Sequence, residues 1–284
     1  MATGVAGCGG IDSASELPKV AVDTRRLAFS SLGTVIEALP NDNLVVQADS
    51  ATRKGWQYGG DFGQDAVLLT PWAVIATETR RFVLESARQR VVVLDANGQL
   101  LRTLGGRDAL LHPLRYPGIP APGPDGLVYV PDRNLGLIRA FDITSQTVRT
   151  LAQDAGLVAP YALAFDPAGR LHVLESSSQV VILDLSGREV GRYGGRGTQP
   201  GQMAMPTSIA IDSQGWVTLA DPVMAALHHF EFNGSFVASR RVAHAAGEPA
   251  KPLMLALRTD GILHVHASFD TSAGAVHRPY PHLL

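Results

Sequence analysis

Cysteine is almost missing from this chain. One residue, Cys8, stands among 284, so no disulfide can close within the fold. Paired metal motifs of the Cys-x-x-Cys or His-Glu-x-x-His kind are absent, and the nine histidines are scattered instead. No apolar run reaches the roughly 18 residues of a membrane-spanning helix. Lysine and arginine (24) nearly balance aspartate and glutamate (26), giving a net charge of −2 with no concentrated basic stripe. That excludes nucleic acid as the expected partner. A Gly-x-Ser-x-Gly nucleophile turn is also lacking. So is any sustained apolar pattern of helical period, which argues against a helical architecture.

What is present is a hydrophobic content of 45%, enough for one well-buried domain in the all-β size range. The stretch from Pro160 to Met205 sets the plan: Tyr161–Phe165, Leu171–Leu174, Val180–Leu183 and Glu189–Tyr193 are short β-type runs parted by Asp-, Ser- and Gly-containing turns. The plan recurs. Pro71, Pro117, Pro160, Pro206 and Pro252 each open a comparable unit, at intervals of 46, 43, 46 and 46 residues. A fixed period in this range, with four strands per unit, is the signature of a β-propeller, whose blades bury their faces against one another.

Columns of the repeat agree. An aliphatic residue marks the second strand at Val83, Val130, Val173, Leu219 and Val265, and at Val46 in a looser first unit. An acid follows two residues later at Glu85, Asp132, Glu175 and Asp221, and a second acid ends the third strand at Asp95, Asp142, Asp184 and Glu231. Gly98, Gly187 and Gly234 close the turn after it, and Gly169 closes an earlier one, where a positive φ is expected.

These residues resemble the NHL-repeat family of six-bladed β-propellers. The resemblance is fullest over Pro71–Gly106 and Pro160–Gly195 and extends across most of Gly33 to Ser268. It implies an all-β propeller of four-stranded antiparallel blades. It does not choose a function, because such propellers host binding proteins and enzymes alike.

Blade counting starts from Gly33 and gives six. The first unit is read as Val35–Leu39, Leu44–Gln47, Gly55–Tyr58 and Ala66–Leu69. The last unit shows Leu253–Leu257, Ile262–His266 and Ala275–Tyr280 and is one strand short. A strand within Lys19–Phe29 is expected to complete it as the outer strand and so close the ring. The third unit opens on the prolines of Pro117–Pro124, which suit only a strand edge. Residues 1–18 form a tail and 19–284 the single propeller domain. In that tail Val5-Ala6-Gly7-Cys8 resembles a bacterial lipobox, with Gly9–Glu16 as a polar tether. The resemblance implies lipidation of Cys8, a periplasmic location and the outer membrane; a tail with a chance cysteine is the other reading.

Several residues carry candidate chemistry. The corner acids, Glu85 and Glu175 foremost, form either part of a ligand-binding ring or hydrogen-bond acceptors within their own turns. Trp72 and Tyr161 follow blade-opening prolines, where they either rim a binding mouth or pack between blades. His264 and His266 share one strand face as weak metal candidates, with no third ligand assignable. His228 and His229 alternate faces and cannot chelate together. His172 shares the column of Phe82, Tyr129 and Thr218, a packing column. Arg90 is expected to pair with a corner acid. The favoured reading is a non-catalytic binding or scaffold module. It is a monomer without a cofactor, takes a protein or small-molecule ligand on a propeller face, and meets the membrane only through Cys8. The alternative is a propeller-type lyase or lactonase with a metal at the channel mouth, drawing on Glu85, Glu175, His228 and His264.

Overall fold

The computed structural model describes residues 20–23, 26–29, 35–48, 55–60, 67–106, 114–145, 147–242, 251–257 and 263–268. Cys8 and the run expected at Ala275–Tyr280 lie outside these residues. Strand β1 is Val20–Asp23. Five four-stranded antiparallel sheets follow in chain order. The first holds β2 (Arg26–Phe29), β3 (Val35–Leu39), β4 (Leu44–Ala48) and β5 (Gly55–Gly59). The second holds β6 (Pro71–Ala76), β7 (Arg80–Glu85), β8 (Arg90–Asp95) and β9 (Leu100–Gly105). In the third are β10 (Ala121–Pro122), β11 (Val128–Asp132), β12 (Leu137–Phe141) and β13 (Val148–Leu151). The fourth comprises β14 (Pro160–Phe165), β15 (Leu171–Glu175), β16 (Gln179–Leu183) and β17 (Glu189–Gly194). The fifth comprises β18 (Ser208–Ile211), β19 (Trp216–Asp221), β20 (Ala226–Glu231) and β21 (Phe236–Arg241). A last sheet has three strands: β22 (Lys251–Leu257), β23 (Leu263–Ser268) and β1, which pairs with β23 in parallel. The one helical turn among the described residues is the 3-10 turn Pro40–Asp42.

Burial explains why the middle strands read as continuous apolar runs. β11 and β15 are buried along their whole length, whereas the outer strands β9 and β17 bury little. A strand buried on both faces lies between two neighbouring sheets. Alternate side chains go to opposite neighbours. Val173 joins Tyr129 and Ile138 of the third sheet, while the next residue, Leu174, joins Val217 and Phe230 of the fifth. The same face-to-face packing links the first sheet to the second, the second to the third, and the fifth to β23.

The turns follow the Asp-x-x-Gly pattern. In the hairpin after β16, Gly187 N–H donates to Asp184 O (2.9 Å) and Asp184 N–H to Arg188 O (3.0 Å). Gly187 has φ 87°, and a Cβ there would stand 2.7 Å from the Ala152 nitrogen, so the residue is fixed twice over. Gly169 and Gly234 also have positive φ, at 78° and 94°.

The first sheet departs from the expected frame. Val35–Leu39 is its second strand, because Arg26–Phe29 precedes it. Val46 therefore lies on the third strand, outside its expected column. Val67–Leu69 forms no strand, and Ala66 lies outside the described residues. The prolines of the third unit shorten its first strand to two residues, with single bridges at Pro117 and Ile119.

Candidate functional site

The four corner acids end the second strands of their sheets, and each is fully or almost fully buried. Each receives a backbone N–H from the residue two places before the proline that opens its own unit. Leu69 donates to Glu85 (3.1 Å), Arg115 to Asp132 (2.6 Å), Val158 to Glu175 (2.8 Å) and Ala204 to Asp221 (2.6 Å). The carboxylate thus fastens the incoming connection to its sheet. Remaining lone pairs are taken nearby. Arg90 Nε meets Glu85 at 2.6 Å and Arg88 at 3.0 Å, Ser177 Oγ donates to Glu175, and Asp221 accepts from Val223 and Met224 N–H. Glu85 and Glu175 are structural fasteners in this geometry. Burial raises the Asp221 pKa, but its hydrogen bonds outweigh that and hold it below the usual value.

The same end of the sheets exposes aromatic residues. Pro71 pairs with Glu85 and Pro160 with Glu175, and in both strands the register shifts across the next residue. A bulge at that point re-aims a side chain. The displaced residues are Trp72, 44% exposed, and Tyr161, half-buried. The preceding residues are Thr70 (φ 52°) and Ala159 (φ 45°), both in left-handed backbone, which is costly for a β-branched residue and for any residue before proline. Thr70 is held there by its N–H to Asn43 Oδ1 (2.9 Å) and by Ser86 Oγ to its carbonyl (3.0 Å).

Tyr161 belongs to a stack. The Arg133 guanidinium lies 5.0 Å from the ring centre of Tyr116 and 5.3 Å from that of Tyr161. Ile119 N–H donates to Tyr161 O (2.7 Å) and Arg133 N–H to Tyr116 O (3.0 Å), so three connections are fixed together. Burial pushes the Tyr161 phenol's pKa well up; the Arg133 charge opposes this in part. The phenol stays a neutral O–H donor at neutral pH. Sequence reasoning singled out Tyr161 and Trp72 but missed Tyr116 and Arg133. A signal was present: the acid-Ser pair of units two and four (Glu85-Ser86, Glu175-Ser176) becomes Asp132-Arg133 in unit three.

The buried histidines serve packing. His172 Nδ1 meets the Tyr193 hydroxyl (3.0 Å) and its Nε2 the Asp166 carboxylate (3.3 Å). Burial drives its pKa down to about 4, against the pull of Asp166. His229 is buried beside Thr218, and burial takes it down to about 3. His228 meets Ser239 Oγ (2.8 Å) and lies 3.7 Å from Asp221. His264 and His266 sit two apart on β23, opposite Ala21 and Asp23; their side chains are outside the described residues. Among the described residues no three of His, Cys, Asp and Glu gather where a metal ion could sit, and the corner carboxylates are already engaged. Glu85, Glu175 and His228 do not by themselves fit the metal centre expected at the mouth, and the fourth candidate, His264, has its side chain outside the described residues. A cleft of about 300 Å³ lies at the opposite end, between the first hairpin turns of the second and third sheets, lined by Thr77, Arg80, Phe82 and Leu127. It is formed by ordinary turn residues; the repeated bulges and the arginine stack direct attention to the aromatic end.

No protein-family profile and no curated protein matches the chain. Solved structures do. A streptogramin B lyase is similar over 85% of this chain and 75% of its own, at 15% identity and TM-score 0.63. Virginiamycin B lyase from Staphylococcus aureus, with quinupristin, is similar over 85% and 83%, at 13% identity and TM-score 0.62. A gluconolactonase from Xanthomonas campestris is similar over 86% and 84%, at 15% identity and TM-score 0.62. The expectation of a non-catalytic binding or scaffold module is corrected by this finding, since these three similar structures are of enzymes. At these identities the likeness shows the fold, and the fold is that of propeller-type proteins.

Proposed function

We propose that the chain is an enzyme of the propeller lyase or lactonase class, opening a ring ester at the end of the sheets that carries Trp72, Tyr116, Arg133 and Tyr161. The observation that carries the placement is the repeated bulge, which turns out an aromatic side chain after Pro71 and again after Pro160 at the same end. Aromatic faces suit a ring substrate. Ring opening of an ester, by water or by elimination, leaves its acyl part as a carboxylate. Arg133 supplies a fixed positive charge there, and Tyr161 a neutral hydroxyl. No step is routed through a metal, because the described residues at this end do not form a centre for one.

In this reading the chain is a six-bladed NHL-type propeller, supported by the period of its units. β1 closes the ring through β23, supported by the backbone of β2 running beside both β6 and β22. The domain works as a monomer on a small-molecule substrate. Lipidation of Cys8 and anchoring to the outer membrane belong to the same proposal; Cys8→Ser is expected to move the protein from the membrane to the soluble fraction, and unchanged fractionation refutes the anchor.

The activity is tested by incubating purified protein with quinupristin and, separately, with glucono-lactone and a panel of simple lactones, followed by liquid chromatography and mass spectrometry. Hydrolysis adds one water to the mass; elimination changes retention at constant mass. Opening of at least one ring above the buffer rate is expected. Recovery of every ring intact rejects the proposal.

A further inference from the structure

We infer that the Tyr116–Arg133–Tyr161 stack is an anion anchor, and that the substrate of this face carries a carboxylate beside a planar ring. The inference rests on the reading of this end of the sheets as the working face and adds the chemical class of what binds there.

Arg133 follows Asp132, whose carboxylate would be its natural partner. That carboxylate is instead committed to backbone N–H groups of Arg115, Tyr116, Asn134 and Leu135. Among the described residues the Arg133 guanidinium makes no hydrogen bond or ion pair; its contacts are the two tyrosine rings. A guanidinium between rings keeps its N–H groups at its edge, in the plane that matches a carboxylate's two oxygens. The neighbouring acids Glu175 and Asp221 are likewise turned to N–H donors, Val158 for the first and Ala204, Met205, Val223 and Met224 for the second. Their oxygens are engaged, and none of these acids gives the Arg133 guanidinium a hydrogen bond or ion pair. Tyr116 is 48% exposed, so one wall of the stack is open to a ligand ring.

The other clusters serve the fold. Asp125 and Arg149 hold the Tyr129 hydroxyl, and Arg170 and His172 share Asp166. Each of those cations has an acid partner; Arg133 is placed as a recognition group would be.

The test uses calorimetric titration of the full chain with 2-naphthoate and its neutral counterpart 2-naphthamide. Naphthoate is expected to bind about tenfold or more tighter. Arg133→Met should abolish that preference while leaving the melting temperature unchanged, and Arg133→Lys should keep the preference with weaker binding. Tyr116→Ala should weaken both probes. Equal affinity for the two probes, binding of neither, or a preference that survives in Arg133→Met overturns the inference. The outcome is separable from the enzyme reading: naphthoate preference without turnover of any lactone rejects the enzyme and keeps the anion site, while turnover without the preference rejects the anion site alone.

Discussion

A histidine that has to stay neutral sits inside the fourth sheet. His172 bridges Tyr193 and Asp166, and its burial brings its pKa from the ordinary 6.5 down to about 4. His229 in the fifth sheet goes further, to about 3. Both are depressed, so between the unfolded and folded values the unfolded chain binds more protons. Stability is unaffected above pH 6.5 and falls as pH drops from there toward about 4. The shift of His172 alone corresponds to about 3 kcal/mol. Asp166 acts lower still. Burial raises its pKa, the backbone N–H and guanidinium of Arg170 and the His172 ring outweigh that, and its contribution is lost only below the ordinary carboxylate range. Thermal melts at intervals from pH 7.5 to 4.5 should show a steep fall for the wild type. His172→Phe, which fits the column held elsewhere by Phe82, should be less stable at pH 7.5 and fall less steeply. Parallel curves for the two proteins would remove the assignment.

At the scale of the element, the decisive device is the acid that ends each second strand. It ties the connection before the proline to the sheet that follows, and it does so four times with the same backbone donor position. Asp221→Ala leaves the N–H groups of Ala204, Met205, Val223 and Met224 without their acceptor and should lower unfolding free energy by about 3 kcal/mol. Asp142→Ala, in an exposed turn at the other end of its sheet, should change denaturant midpoints far less. Comparable losses in both would mean that the fasteners are ordinary turn residues. This device was half legible in the sequence. The column of acids and the spacing of prolines were plain because they repeat, and so were the Gly turns. That each acid accepts from a specific earlier connection was hidden, since it depends on which turn folds against which. Arg26–Phe29 was read as part of the Lys19–Phe29 run meant for the last unit and not as the first strand of the first sheet, because four residues with no opening proline give no repeat to register against. Arg133 escaped for the opposite reason: it departs from the repeat, and only the structure shows that the departure meets two tyrosines.

The whole molecule is a run of small sheets that are stable only against neighbours, so its ends matter most. Parallel pairing of Val20–Asp23 with β23 joins the earliest described strand to the last described sheet. Removing residues 1–24 should strip that edge and give a lower, broader melting transition with aggregation; an unchanged melt would show that the pairing adds nothing. In the closed ring proposed above, this pairing would hold the inner strands in place, and with them the bulges that present Trp72 and Tyr161. The claim that this end is the working face of a ring-opening enzyme is tested most directly by kcat/KM on whichever ring ester the protein opens. The comparison is wild type against Tyr161→Ala and against Arg80→Ala in the cleft at the opposite end, with melting temperatures measured on all three. A loss of about tenfold or more is expected for Tyr161→Ala, and none for Arg80→Ala. Full activity in Tyr161→Ala together with loss in Arg80→Ala would contradict the account.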